Sequence, residues 1–291
     1  MSMKNYGKTI SSIRKAKNIK VNKLINGIMS SSTYVRFISG EAQTSVNNFI
    51  SLLENLHISF DEFKYIDDGY QPDVIQNLML SIREAVVKDD VTKLKEYLEQ
   101  VETRQQMEVD NQELEHVRCA LKLTINRLQH ESYDEVAKKT IINYLSTCEI
   151  WTHYELALFN NCIFIFDIEQ IKIFSKRVVR NLERYQNMRV YGSESFRVLV
   201  NIMMIYISKG TLNDIVETLI KMNHFKLESD MLFEKNLRLY FNGLVQLIQK
   251  KQEGIKQVKK ALNIFELLDA KQYADLFDKF LNYTTKKYKL D

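Results

Sequence analysis

The side chains that most often perform catalysis occur in this chain, but not at the spacings that catalysis needs. The five histidines are scattered, at His57, His116, His130, His153 and His224, and none forms an HExxH or an H-x3-H pair. The sequence contains no Walker loop, no GxGxxG and no GxSxG elbow. It therefore predicts no catalytic residue, no metal site and no cofactor, and we do not expect an enzyme.

A different chemistry, binding to a polyanion, is indicated by the distribution of charge. Residues 1–40 hold eight Lys and Arg side chains and no Asp or Glu, whereas residues 41–291 hold 33 basic and 37 acidic side chains. A folded segment with eight unopposed cations repels itself, and a polyanionic partner relieves that repulsion by releasing counterions. The alternative is a solvated basic face that has no partner.

A helix-turn-helix pattern lies inside this basic segment. Leu24 and Ile25 anchor a short helix, Gly27 permits a sharp turn, and Ser30 can cap a third helix over residues 31–38. Small hydroxyl residues in the first turn suit a recognition helix, because its N-terminal residues enter the major groove. The candidate contacts with double-stranded DNA are Lys15, Lys20, Asn22, Ser30, Ser31, Ser32, Thr33, Tyr34 and Arg36. The alternative is a serine-rich loop before a short core helix.

The elements that hold this pattern are expected to be helical. One proline and eight glycines among 291 residues leave few turn residues for a sheet-rich protein, so the predicted fold class is all-α. Residues 1–66 show five short amphipathic segments, which predict a lambda-repressor-like helix-turn-helix domain. Residues 67–72 hold the only proline and are predicted as the linker between two domains.

Residues 73–291 predict a second domain of paired helices. Apolar residues recur at helical spacing over eleven segments: 73–87, 90–104, 108–130, 133–147, 151–166, 168–187, 193–208, 211–224, 228–249, 252–267 and 270–287. Short connections make successive helices antiparallel, and stacked hairpins of this kind form a tetratricopeptide-like right-handed array. We expect this array to be the sensor and dimerisation domain, although no repeat consensus is present.

No feature of the sequence indicates secretion or membrane insertion. The first residues lack the apolar run of a signal peptide. The best apolar stretch, residues 198–207, is much shorter than the roughly 18 residues of a membrane span. Cys119, Cys148 and Cys162 are odd in number and widely spaced, which favours a reducing compartment. We therefore expect a cytoplasmic protein without membrane contact.

Eight stretches of the chain carry a family resemblance. They are Gly7–Ile10, Ile13–Lys15, Met29–Ser32, Arg36–Glu41, Leu56–Phe63, Trp151–Leu156, Phe159–Asn161 and Asn201. In these stretches the sequence resembles the Rgg/GadR/MutR family of transcription regulators. The resemblance implies a cytoplasmic homodimer used in quorum sensing, in which a short peptide pheromone binds the concave face of the helical repeats and alters the DNA-bound dimer.

Departures from the family pattern change what the resemblance implies. Residues 33–35 are Thr-Tyr-Val where the family commonly has Gln, Ile and Ser, so we expect a different operator. Ser45 replaces a cysteine that links the subunits of some members, so a disulfide-linked dimer is not expected. His153 stands where Arg is common, and its titration near neutral pH predicts a pH-dependent ligand contact.

The expected peptide site lies on otherwise apolar helices of the second domain. An extended peptide needs side-chain amides for its backbone and apolar surfaces for its side chains. Asn160, Asn161 and Asn201 suit the first need. The other candidates are His153, Tyr154, Tyr191, Met204, Tyr206 and Tyr240. For each single aromatic or Met residue, packing in the core is the alternative.

Two other functions stay open at this point. One is a helical-repeat adaptor that binds a protein partner and uses its basic N-terminus as a docking arm. The other is a plasmid-type or phage-type repressor without peptide input. Salt-dependent, sequence-selective DNA binding would exclude the adaptor, and a short peptide that shifts this binding would exclude the repressor.

Overall fold

The computed structural model describes residues 5–71, 74–108, 110–185 and 188–290. Every regular element within these ranges is a helix, which confirms the all-α fold class. The chain divides into two compact units, Met1–Lys88 and Asp89–Asp291.

The first unit contains six helices. They are α1 (Tyr6–Ala16), α2 (Val21–Leu24), α3 (Ser31–Ser39), α4 (Val46–Leu56), α5 (Phe60–Asp67) and α6 (Val74–Val87). The division of the chain falls after α6, whereas the sequence placed a linker at residues 67–72, before it. The predicted boundary at residues 67–72 stays a prediction. Pro72 lies outside the described residues.

One apolar core holds the helix-turn-helix in shape. Its members come from each of the first five helices and from the turn after α2: Ile10, Ile13, Leu24, Ile25, Tyr34, Phe37, Leu52, Leu53, Leu56 and Phe63. Gly7 lies where α1 crosses the end of α3, and a Cβ atom at this position would come within 2.7 Å of the Cα atom of Ile38. The crossing therefore requires glycine, because backbone atoms cannot yield as a flexible side chain does.

The second unit contains ten helices within the described ranges. They are α7 (Val91–Met107), α8 (Gln112–Leu128), α9 (Glu135–Thr147), α10 (His153–Asn161), α11 (Ile168–Tyr185), α12 (Arg189–Lys209), α13 (Leu212–His224), α14 (Leu232–Ile248), α15 (Gly254–Leu267) and α16 (Lys271–Tyr288). A short 3-10 turn, Ile163–Ile165, follows α10. Each helix predicted from apolar periodicity is present in the expected order.

The helices of the second unit form two layers. The even-numbered helices from α8 to α16 contact one another in order, α8 with α10, α10 with α12, α12 with α14, and α14 with α16. We call α8, α10, α12, α14 and α16 the inner layer, because the layer with the closer helices lies inside the curvature of a helical array. Facing glycines, Gly243 and Gly254, bring α14 and α15 into backbone contact.

Candidate functional site

Helix α3, which the sequence predicts as the recognition helix, has a capping interaction at each end. The Ser30 hydroxyl accepts a hydrogen bond from the backbone N–H of Thr33 at 3.2 Å, which satisfies one of the free donors of the first turn. The same hydroxyl lies 2.9 Å from the Ser32 hydroxyl and 2.8 Å from the Thr33 hydroxyl. Gly40 ends the helix with a left-handed φ of 85°. The orientation of α3 is therefore fixed at both ends.

One face of α3 is exposed from end to end. Ser31, Ser32, Val35, Arg36 and Ser39 are exposed, at spacings of three to four residues that place them along one side of the helix. Hydroxyl and guanidinium groups can bind phosphates or base edges, and an apolar side chain can contact a thymine methyl group. Val35, which is 58% exposed, was not among the predicted contacts. Its spacing of four residues from both Ser31 and Ser39 could have identified it from the sequence, because this spacing puts the three residues on the same side of a helix.

Tyr34 corrects the predicted set of DNA contacts. Its side chain is 2% exposed and packs in the core of the first unit. Core contacts lie on the side of α3 opposite the exposed face, so Tyr34 supports the recognition helix and is not available to DNA.

The cations of the first unit fall into two groups. The side chains of five cations are exposed and form no hydrogen bond with any residue that the structure describes: Lys8, Lys15, Lys20, Lys23 and Arg36. Asn22 on α2 is exposed as well. Arg14 and Lys17 differ, because they donate hydrogen bonds to backbone carbonyls. Arg14 bonds the carbonyl of Ile19 at 2.7 Å, and Lys17 bonds the carbonyl of Leu56 at 2.7 Å. Fewer cations are therefore available to contact phosphates than the eight Lys and Arg residues of the N-terminal segment suggest.

In the second unit, α12 is buried on every side but one. Its half-exposed residues follow a single stripe along the helix: Ser193, Glu194, Arg197, Asn201, Met204, Ile205 and Ser208. Hydrogen bonds from this stripe reach α10 on one side and α14 on the other. All three helices belong to the inner layer, so the stripe lies on the inner surface of the array. Five of its seven residues are polar.

The predicted asparagines meet on this surface. The Asn201 amide donates to the Asn160 side-chain oxygen at 2.7 Å, which joins α12 to α10, and Asn161 is exposed at the end of α10. His153 pairs with Glu194 across the same two helices. The hydrogen bond with Glu194 raises the pKa of His153 above its ordinary value.

We call this surface the α10–α12 face. It consists of His153, Asn160 and Asn161 on α10, and of Glu194, Arg197, Asn201 and Met204 on α12.

A buried carboxylate supports one edge of the α10–α12 face. Glu234 of α14 is 3% exposed, and one of its oxygens accepts hydrogen bonds from Ser193 at 2.6 Å and from two nitrogens of Arg197 at 3.1 and 3.0 Å. Neither Arg197 nor Glu234 was a predicted site residue. The spacing of Ser193, Arg197 and Asn201 at every fourth position of an apolar helix was the available signal.

Tyr154 is held by a polar cluster beside the face. Its hydroxyl lies 2.6 Å from Nδ1 of buried His116 on α8. Burial lowers the pKa of His116, so the ring is held in its neutral form. In the same cluster, Tyr144 donates to Glu155 at 2.6 Å. Tyr154 therefore links α8 to α10, and only its partly exposed ring is open to a ligand.

Two predicted peptide contacts are corrected by the structure. Tyr206 is 3% exposed and Tyr240 is fully buried, and the Tyr240 hydroxyl donates to the carbonyl of Phe277 at 2.7 Å. Tyr206 lies two positions after Met204, which turns its side chain to the opposite side of α12. Both tyrosines are core residues, whereas Met204 lies on the exposed stripe. The side chain of Tyr191 lies outside what the structure describes.

The described part of the chain gives little support for thiol chemistry, metal binding or a membrane span. Burial raises the pKa of the Cys119 and Cys162 thiols to about 12, which keeps them protonated and unreactive. The described residues include no cluster of three or more His, Cys, Asp or Glu side chains that would hold a metal ion. Of the helices in these ranges, none has both the length and the apolar character to cross a membrane.

An exposed recognition helix, followed in the same chain by a helical array with a polar inner surface, defines a helix-turn-helix regulator with an attached helical domain. Residues 103–279 match the family model described as "HTH-type transcriptional regulator Rgg, C-terminal domain". This match covers more than half of the chain, so the protein belongs to the Rgg family. Members of that family are transcription regulators and not enzymes, which confirms the general function expected from the sequence.

Solved structures share this fold along almost the whole chain. A protein from Listeria monocytogenes EGD-e that is assigned as a transcriptional regulator matches with a TM-score of 0.84, 21% identity and 99% coverage of both chains. The SHP pheromone receptor Rgg2 of Streptococcus dysgalactiae matches with a TM-score of 0.77, 20% identity, and 96% and 99% coverage. The PrgX/cCF10 complex matches with a TM-score of 0.72, 16% identity, and 98% and 94% coverage. At these identities the likeness shows the fold.

Proposed function

We propose that this regulator binds operator DNA through α3 and is controlled by a short peptide pheromone on the α10–α12 face. The observation that carries the proposal is the stripe on α12. A helix buried on every other side keeps one row of polar, half-exposed residues open on the inner surface. Half-exposed polar side chains in such a row can form hydrogen bonds with a ligand.

The exposed face of α3 supports the DNA-binding half of the proposal. Its hydroxyl groups, Val35 and Arg36 offer base contacts, while Lys15, Lys20 and Asn22 on the preceding helices offer phosphate contacts. We further propose a homodimer in the cytoplasm, because regulators of this type read paired half-sites with two copies of the helix.

The asparagines support the peptide half. An extended peptide presents alternating N–H and C=O groups, and carboxamides both donate and accept. The proposal is supported by the paired carboxamides of Asn160 and Asn201, by the exposed Asn161 at the end of α10, and by Met204 as an apolar residue on the stripe of α12. Two of the similar structures agree with this proposal, since Rgg2 is an SHP pheromone receptor and PrgX was solved in complex with cCF10.

Selection of DNA from a random duplex library by the full-length protein tests the first half. We expect enrichment of one sequence made of two related half-sites about one helical turn apart. Arg36→Ala should lose this enrichment, whereas Arg180→Ala, which alters an exposed arginine of α11, should keep it. A library that shows no enrichment with the wild-type protein would contradict operator binding.

The second half is tested on the selected operator with a pool of short apolar peptides. We expect the pool to change the mobility or the affinity of the complex, and Asn201→Ala to reduce that change while leaving DNA binding intact. Asn213→Ala, which alters an exposed residue of α13, is the control. If the pool never alters the complex, a repressor without peptide input is the better description.

A further inference from the structure

Arg197 has a half-exposed guanidinium group held by a buried partner. Its side chain is 39% exposed, whereas that of Glu234 is 5% exposed. Two of its nitrogens, Nε and Nη2, donate to the same oxygen of Glu234, and Ser193 donates to that oxygen as well. The carboxylate is thus the buried end of the pair, and the guanidinium is the half-exposed end.

The geometry leaves donors of Arg197 unused. A guanidinium carries five N–H donors, and Glu234 takes two of them. The Nη1 atom forms no hydrogen bond with any residue in the described ranges. The plane of the group is also fixed, because its Cζ atom lies 4.9 Å from the centre of the Phe233 ring. The remaining donors therefore belong to a group that Glu234 and Phe233 already hold in place, which is a form of pre-organisation.

The other charges of the face do not compete for these donors. Glu194, three residues before Arg197 on α12, pairs with His153 and not with the arginine. Glu234 approaches only from α14 and is covered. A new anion can thus approach Arg197 from the inner surface without displacing the bond that holds the arginine in place.

We propose that Arg197 binds a carboxylate of the peptide, supplied by its C-terminus or by an Asp or Glu side chain. This inference rests on the proposed peptide control and adds the chemistry of one ligand group. Planar guanidinium forks match planar carboxylates and bind them with two parallel hydrogen bonds. Glu234 and Ser193 act as positioning residues that hold the fork.

The spacing along α12 agrees with an extended ligand. Asn201 lies one helical turn after Arg197, a rise of about 6 Å. An extended peptide advances about 3.3 Å per residue, so a carboxylate on Arg197 places the backbone about two residues away beside Asn201. The carboxylate and a carboxamide can therefore hold one short peptide together.

Competition between matched peptide pools tests the proposal. Full-length protein is incubated with an equimolar mixture of three pools of short apolar peptides, and retained peptides are identified by mass spectrometry after gel filtration. The first pool has free C-terminal carboxylates, the second has C-terminal amides, and the third has amides with one internal Asp. We expect carboxylate-bearing peptides to be enriched about tenfold over the plain amides, as one charge-assisted pairing provides. The first and third pools separate the two sources of the carboxylate.

Variants assign the preference to Arg197. Arg197→Gln should abolish the enrichment and keep amide binding, and Arg197→Lys should keep part of it. The paired variant Arg197→Gln with Glu234→Gln removes both charges, so it avoids an unpaired buried carboxylate if the single variant fails to fold. Arg180→Gln is the control that keeps the enrichment.

The possible outcomes distinguish a failure of the Arg197 proposal from a failure of the peptide control on which it rests. Equal retention of acids and amides by the wild-type protein overturns the role of Arg197 and leaves peptide control standing. An enrichment that persists in the folded paired variant overturns it too. Retention of no peptide by the wild-type protein contradicts the proposed peptide control, and the inference falls with it.

Discussion

Lys15 and Lys17 carry equal charge two residues apart, yet the structure gives them different roles. The side chain of Lys15 is exposed and forms no hydrogen bond with the described residues. Lys17 donates to the carbonyls of Leu56 and His57, at 2.7 and 3.4 Å, at the end of α4. We therefore predict that Lys15→Gln weakens DNA binding and leaves stability unchanged, whereas Lys17→Gln does the reverse.

Both effects have an expected size. Loss of one phosphate contact lowers the slope of log K against log salt by ~0.9 per protomer, so Lys15→Gln should show that decrease. Its free energy of unfolding should stay within about 0.5 kcal/mol of the wild-type value. Hydrogen bonds to a charged donor contribute about 1.5–3 kcal/mol when buried. Since Lys17 is exposed, we expect Lys17→Gln to lower the free energy of unfolding by about 1 kcal/mol. A loss of that size lowers Tm by roughly 4–8 °C in a domain about as large as the first unit.

Two measurements on the full-length proteins check the pair. Fluorescence anisotropy with a labelled duplex of random sequence, between about 50 and 200 mM salt, gives the slope without knowledge of the operator. Differential scanning calorimetry gives Tm. Equal slopes for wild type and Lys15→Gln would refute the phosphate contact, and an unchanged Tm for Lys17→Gln would refute the tethering of α4.

Three further predictions concern the fold and the α10–α12 face. Gly7→Ala should lower the free energy of unfolding by about 1–3 kcal/mol, because its Cβ atom would meet the backbone of α3, and denaturant unfolding measures this. The single variants Asn160→Ala and Asn201→Ala should lower peptide affinity non-additively in a double-mutant cycle, since the two amides share one hydrogen bond. Folding raises the pKa of His153 through Glu194, so this pair stabilises the protein fully below the ordinary pKa of 6.5 and less as pH rises through the raised pKa. The difference in Tm between wild type and His153→Gln should therefore shrink toward alkaline pH.

Each of these has a clear contrary result. A stable Gly7→Ala variant would show that α1 and α3 do not cross closely. Additive effects of the two asparagine variants would separate them as independent contacts. A Tm difference that stays constant or grows with pH would contradict the His153–Glu194 pairing in solution.

The helices were predictable because apolar periodicity is a local signal. The start of α3 was predictable for a similar reason, since Ser30 caps its own first turn. Which way a tyrosine faces is not local in this sense. Tyr34, Tyr206 and Tyr240 have residue types that suit a binding surface, but packing against other helices placed all three in a core. The sequence could weigh that alternative and could not decide it.

The edge of the α10–α12 face was missed for a different physical reason. Arg197 and Glu234 are 37 residues apart, and their pairing exists only because α12 and α14 are neighbours in the inner layer. A single sequence shows both as ordinary charged residues on helices. Because the two helices lie side by side, Glu234 is buried and holds Arg197 in place, whereas the guanidinium group of Arg197 stays half-exposed.

Asn160 and Asn201 already form a hydrogen bond with each other, and this restricts what can bind beside them. A ligand that takes the Asn201 N–H must offer a donor in return, or the Asn160 oxygen is left without a hydrogen bond. A polar group left unpaired on burial costs about 1–3 kcal/mol, so an apolar ligand that merely covers the face is disfavoured. A peptide backbone avoids this cost because it offers donors and acceptors in alternation, and Met204 can meet its apolar side chains. The hydrogen bonds within the face therefore favour an extended peptide over a purely apolar ligand of equal size.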